Sequence, residues 1–230
     1  MTRFRAALFA VTLAAAPAAA QVGYTPSASP FRDMPWKQSI SGFAGGFDTG
    51  SDAAGVGPQP GWLAGVRYDL RIGGPVSLVT RIAAAPTSRR VIDPTKPATT
   101  RFVGDENSQL MAADLGLAMN LTGQKSFHRL IPVLQGGVGL VTDFRGTPDD
   151  GGYRFGTRFM FTWGAGVRYH TEGRWEPRLD FTNYLWQLQY PPAYLATPSD
   201  GSAAAVPNGK KSPWMGNHLW SLGLSYQLFR

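Results

Sequence analysis

The stretch RFMFTWGAGVRYHTEGRWEPRLDFTNY, residues 158–184, decides how the chain is read. Phe159, Phe161, Trp163, Val167 and Tyr169 fall on every second position, and Arg158 and Arg168 fall between them. A period of two belongs to a β-strand, whose successive side chains point to opposite faces. Thr171-Glu172-Gly173 reads as a three-residue hairpin loop, with Gly173 in the left-handed conformation that closes such loops. That loop sets a register in which Arg168 faces Glu176, Trp163 faces Phe181 and Gly164 faces Asp180. Both strands then share one apolar face, completed by Pro177, Leu179 and Phe181. The other face collects Arg158, Arg168, Glu176, Arg178 and Asp180.

The same alternation recurs along the chain. Extended segments are predicted at residues 37–48, 61–72, 76–85, 108–121, 129–143, 153–170, 175–190 and 217–229. In the second, Trp62, Ala64, Val66, Tyr68, Leu70 and Ile72 oppose Gly65, Arg67, Asp69 and Arg71. In the last, Trp220, Leu222, Leu224, Tyr226 and Leu228 oppose small and polar residues. The glycine-rich first and fifth segments have no clear phase. The gaps at 73–75, 122–128 and 171–173 are short, and those at 49–60, 86–107, 144–152 and 191–216 are long. With 28 Gly and 18 Pro, the gaps carry turn chemistry, and no helical period persists.

Charged residues make up 16% of the chain, below the ~25% of ordinary soluble domains, and there is no cysteine. The first 20 residues read as an export signal: Arg3 and Arg5, an apolar run, then Ala18-Ala19-Ala20 before Gln21. A large core or a closed sheet must therefore stabilise an exported chain without disulfides. No later stretch reaches the ~18 apolar residues of a membrane helix, but a barrel strand needs only ~9–11 residues, alternately polar.

Sidedness is the open question. Arg67, Asp69, Arg71, Arg81, Asp114, Arg158, Arg168, Glu176, Arg178 and Asp180 all fall on the polar face. On a lipid-facing surface each midplane arginine would cost ~2–4 kcal/mol, and several would exceed a typical stability of ~5–15 kcal/mol. Inside a narrow eight-stranded cylinder, opposite charges can pair and glycines make room for long side chains. Trp62, Tyr169, Trp175, Tyr190, Trp220 and Tyr226 then suit the aromatic girdles at the two membrane surfaces. The inverse arrangement, a secreted soluble sandwich with these rings in its core, is the alternative.

The signal, the eight segments, the loop asymmetry and the last strand LWSLGLSYQLF, residues 219–229, resemble the small eight-stranded outer-membrane barrels of the OmpA/OmpX type. The resemblance implies an all-β, eight-stranded antiparallel up-and-down transmembrane β-barrel over residues 36–230, after a signal peptide at 1–20 and a periplasmic tail at 21–35. It also implies short turns in the periplasm and long loops outside. Such barrels commonly end on an aromatic in phase with the lipid-facing set, read by the barrel assembly machinery. Here Tyr226 is in phase, but Leu228 takes the expected place of the terminal ring.

Chemistry is sparse. His128 and His170 lie beside short turns, and His218 has Ser221 three residues on, the opposite strand face, so no His-x-Ser pair forms. Asp149-Asp150 beside Gly151-Gly152 could touch calcium but reads as a solvated turn, and Gly137-Val138-Gly139 precedes no helix that would bind a dinucleotide. No metal or cofactor is implied, and an exported chain without a basic stripe offers no nucleic-acid footprint. Arg89, Arg90, Lys210 and Lys211 lie near long loops, where lipopolysaccharide phosphates would meet them. The expected protein is a monomer with a side-chain-filled lumen, surrounded by outer-membrane lipid and lipopolysaccharide. Its role is structural, or loop-mediated adhesion and binding. A narrow solute channel and a lipid A-modifying enzyme are the alternatives.

Overall fold

A computed structural model describes residues 29–50, 52–145 and 148–229; the expected export signal at residues 1–20 lies outside them. Ten strands form: β1 (Phe31–Asp33), β2 (Gln38–Asp48), β3 (Gly61–Gly73), β4 (Val76–Ile92), β5 (Phe102–Asn120), β6 (Lys125–Phe127), β7 (Leu130–Thr142), β8 (Thr157–Tyr169), β9 (Trp175–Gln187) and β10 (Trp214–Gln227). Eight of them close a ring in the order β2-β3-β4-β5-β7-β8-β9-β10, each antiparallel to its neighbours, with β10 pairing back to β2. The ring removes every sheet edge along the shared length of the strands.

The stagger of the ring follows from its register. A path at right angles to the strands runs Val167, Leu179, Leu222, Ala44, Ala64, Ala84, Met111, Thr142, Thr157. It returns to β8 ten residues from where it left. With ~3.3 Å per residue and ~4.8 Å between strands, that stagger tilts eight strands by about 41° and gives a cylinder roughly 16 Å across. Side chains fill such an interior.

Sidedness is unambiguous. Trp163 is 54% exposed and Leu222 70%, whereas Arg67 and Arg178 are each 3% exposed. The apolar rows face outward and the arginines inward. The two glycine-rich strands also take a phase: Ser39, Ser41, Phe43 and Phe47 of β2, and Ile131, Val133, Gln135 and Val141 of β7, point into the lumen.

Three local expectations are corrected. The β8–β9 pairing is two residues away from the expected register: Arg168 faces Arg178, Gly166 faces Asp180 and Ala165 faces Phe181. The strands are joined by five residues, 170–174, and Gly173 is not left-handed. His170 N donates to the Arg129 carbonyl at 2.6 Å, tying the loop to the β6–β7 turn, and Thr171 Oγ1 donates to the Trp175 carbonyl at 2.6 Å across its base. Second, β4 and β5 run past Pro86 to Ile92 and back from Phe102. The last β3–β4 pair is Ala64 with Ala84, so Pro86 lies where β4 has a ladder partner only in β5 and its missing N–H breaks no bond. Third, the 122–128 gap contains β6, which pairs with β1 across the turn end of the ring. His128 and Arg129 (φ 48° and 66°) make the two-residue turn from β6 to β7.

Candidate functional site, the filled lumen and its loop cap

The interior is layered. At mid-depth lie three arginines and three aspartates. Arg67 Nε donates to both Asp69 oxygens at 3.1 and 2.8 Å, and its Nη2 reaches Asp69 Oδ1 at 2.6 Å. Arg178 grips Asp180 through Nε at 2.5 Å and Nη2 at 3.0 Å, and its Nη1 lies 3.5 Å from Asp69. These pairs are i, i+2 on one strand face. Arg81 instead meets Asp114 directly across the β4–β5 ladder, with three contacts of 2.9–3.1 Å. Gln135 links the groups: its Oε1 accepts from Arg67 Nη1, its Nε2 donates to Thr182 Oγ1 at 3.3 Å, and Thr182 accepts from Arg81 at 3.1 Å. The charges balance, and each guanidinium has a fork-like carboxylate contact. A Cβ on Gly166 would lie 2.2 Å from Asp180 Oδ1, so only glycine leaves that carboxylate its place.

Toward the short turns, Glu176 accepts from Gln227 at 2.7 Å, meets His170 Nδ1 at 2.7 Å and lies 3.8 Å from Arg168. Arg168 also donates to Asn120 at 3.1 Å. Arg71 donates to the Met34 carbonyl at 3.0 Å. Met34 packs with Val79, Ala118, Ile131 and Val133 and closes this end.

Toward the long loops the lumen turns apolar, which the sequence reading missed. Phe47, Leu63, Leu110, Met160, Tyr184, Trp186 and Leu219 form one buried cluster that continues into the loops through Tyr153, Phe155, Tyr190 and Tyr194. Phe47 stacks on Trp186 at 6.3 Å and Phe155 meets Trp186 edge-on at 6.0 Å. Polar anchors lock the loops above. Asp52 accepts from Ala54 N at 3.0 Å, Gly57 N at 2.7 Å and the Tyr190 hydroxyl. Arg89 pairs with Asp149 at 2.6 Å and Glu106 at 2.9 Å, and lies 5.9 Å over the Tyr153 ring. Burial, then the Asp52 charge, pushes the Tyr153 phenol above its ordinary range. Burial, then the hydrogen bond to Asp52, does the same to Tyr190.

Several expected sites move accordingly. Tyr190 is 1% exposed, a cap residue and not a girdle residue. Trp220 lies midway along β10, packed on Phe181 at 4.9 Å, between the membrane edges rather than at one. Tyr169, Trp175 and Tyr226 face outward at the turn end, where Trp175 and Tyr226 rings are 4.8 Å apart, and Trp62 faces outward at the loop end. Arg158 leaves the lumen network for the loop-end rim, where its Nη1 donates to Gln189 at 2.6 Å and its Nη2 to the Arg154 carbonyl at 3.2 Å. Arg89 is buried in the cap and so unavailable to lipid phosphates, while Arg90, Lys210 and Lys211 are exposed. Asp149 is engaged by Arg89 and by Tyr153 N at 2.8 Å. His218 faces outward with its Nδ1 2.8 Å from Asn183 Nδ2. Among the described residues no cluster of three or more His, Asp or Glu side chains could hold a metal.

A family model described as outer membrane protein beta-barrel domain matches residues 6–227. The fold is similar to that of Neisserial surface protein A (NspA), at 11% identity and a TM-score of 0.51, covering 83% of this chain and 97% of that one. It is also similar to the outer membrane protein OprG from Pseudomonas aeruginosa, at 11% identity and a TM-score of 0.50, covering 86% of this chain and 99% of that one. No curated protein matches the chain in sequence.

Proposed function

The chain belongs to the outer-membrane β-barrel family, and from that premise we propose that it is a sealed monomeric barrel whose folded loop cap is a binding platform on the bacterial surface. One observation carries this reading: Tyr153, Tyr190 and Tyr194 continue the lumen core into the long loops, and Asp52, Arg89 and Asp149 pin those loops to one another. Loops anchored in this way present a fixed surface at little ordering cost on binding. Family membership supports the orientation, with the long loops outside and the short turns in the periplasm. The same proposal takes residues 1–20 as an export signal, residues 21–35 as a periplasmic tail and residues 36–230 as the barrel. Outer-membrane lipid surrounds it, and the assembly machinery reads the last strand.

A narrow channel is disfavoured by the packing of the lumen. Among the described residues, a space of about 10 Å³ at the arginine layer, between Arg67, Arg81 and Tyr184, has room for about one water. A chemical role is disfavoured because His218 meets Asn183 on the lipid side and is not paired with a nucleophile. Planar-bilayer recording on the purified chain is the test of sealing: no stable current steps are expected, and reproducible single-channel conductance overturns it. Cells expressing the chain should gain retention on immobilised glycan or matrix-protein arrays. No gain, or a gain untouched by the cap variant Asp52→Ala, overturns the platform.

A further inference from the structure

We propose that the turn-end layer of the lumen, short of the mid-depth arginines, binds a small halide-like anion between Arg71 and Arg168. The proposal stands on the inward direction of the arginines and holds whichever solution the turns face.

The mid-depth layer is neutral by itself: three guanidiniums meet three carboxylates, each pair closed at 2.5–2.9 Å. The turn-end layer is not. Even with His170 neutral it holds two guanidiniums, Arg71 and Arg168, against one carboxylate, Glu176, whose side chain is 2% exposed. That carboxylate is already taken: Gln227 Nε2 donates to it at 2.7 Å and His170 Nδ1 meets it at 2.7 Å. Arg168 reaches it only at 3.8 Å, too far for a hydrogen bond. Arg71 donates to the uncharged Met34 carbonyl, and the charges that act on it are Arg168, which repels it, and Glu176.

Donors are left over in the same place. Among the described residues, Arg168 Nε and the Thr122 hydroxyl are buried with no hydrogen-bond partner. Asn120, which accepts from Arg168 Nη2 at 3.1 Å, precedes Thr122 by two residues, so the hydroxyl stands on the turn that already holds Arg168. Water would satisfy those donors and leave the extra charge uncompensated in a narrow lumen. An anion does both, and guanidinium groups are suited to it. It must be small, because side chains fill the rest of the cylinder.

The route in is open. A cleft of about 320 Å³ at the turn end is lined by Arg32, Arg129 and His170, with Asp33, Thr171 and Glu172. His170 belongs to both places, on the cleft wall and against Glu176. The two cleft carboxylates are each paired, Asp33 with Lys125 at 3.5 Å and Glu172 with Arg129 at 2.9 Å, so they oppose an arriving anion less than bare charges would.

The test uses the full chain refolded into phosphatidylcholine vesicles. It is unfolded by urea at one ionic strength in sodium chloride or in sodium gluconate, whose anion is too bulky for the layer. Chloride at about 0.3 M, about 30 times a dissociation constant of about 10 mM, should raise the midpoint by about 1 M. Arg168→Gln leaves one guanidinium for one carboxylate, so its midpoints in the two salts should agree within about 0.2 M, and Arg71→Gln should behave alike. In gluconate Arg168→Gln should be at least as stable as the parent, which a merely structural arginine would not give. Lys211→Gln, at the opposite end, should keep the full chloride effect. In crystals of the parent soaked in bromide, an anomalous peak should lie within hydrogen-bonding distance of Arg71 and Arg168, a readout that needs no variant. Equal parent midpoints in the two salts, a chloride effect undiminished in both arginine variants, or no bromide peak between the two arginines overturns the site. Sulfate acting as strongly as chloride overturns the halide assignment.

Discussion

Removing Arg81 should cost far more than removing Arg81 and Asp114 together. The Asp114 side chain is 2% exposed, and all its cationic contact comes from three Arg81 distances of 2.9–3.1 Å. Arg81→Met leaves a carboxylate in the middle of a closed cylinder, out of reach of water. Breaking one side of a buried pair costs ~3–5 kcal/mol, whereas replacing both partners by apolar groups of similar volume is about neutral or stabilising by ~1–4 kcal/mol. Thr182 keeps a donor in Gln135 in both cases, so the remaining network does not confuse the comparison. Urea unfolding in lipid vesicles, followed by the exposed tryptophans, measures this. With an m value of ~2 kcal/mol/M, Arg81→Met should lower the midpoint by about 2 M, and Arg81→Met with Asp114→Leu should restore it to the parent value or raise it by up to about 2 M. A single variant that shifts the midpoint by less than 0.5 M, or a double variant as damaged as the sum of the singles, would falsify the buried, isolated pairing described above.

Gly166→Val should lower stability by ~1–3 kcal/mol in the same assay, because its new side chain would displace Asp180 from Arg178. Asp52→Ala frees Tyr190, Ala54 and Gly57 at once; trypsin added to intact cells should then cut at Lys210 or Lys211 much faster than in the parent, with the barrel still folded. Tyr153, Tyr190 and Tyr194 carry raised phenol pKa values, so they bind their protons more tightly folded than unfolded. Their contribution to stability is complete below the unfolded value of about 10 and is lost as pH rises above it. Absorbance at 295 nm should show these three still neutral at pH 11, and full ionisation of all eight tyrosines there would contradict the cap. His128→Asn with Arg129→Gly relieves two left-handed residues and should gain about 1–2 kcal/mol, read as a higher urea midpoint.

Alternation placed β3 to within one residue at each end and β9 and β10 to within three, because each carries an apolar row that only one face can accept. Polarity could not reveal the β8–β9 shift: a slip of two residues leaves every side chain on its own face. It also hid the upper lumen. Phe43 and Phe47 lie among glycines and serines, and hydrophobicity alone does not say whether such rings meet lipid or one another. The signal that was available is Tyr153, Phe155, Tyr190 and Tyr194, four large rings in or beside long loops, which need a surface to bury against. Gln135 went unnoticed because its strand had no phase, although it joins two of the three arginine sites.

The Phe47–Trp186 stack above and the Met34 cluster below isolate the charged layer from both aqueous phases. Dissolved ions that never enter that compartment cannot screen it. Seawater and fresh water are then the same solvent to Arg67, Arg81 and Arg178, while the cations of the outer rim feel every change in the medium.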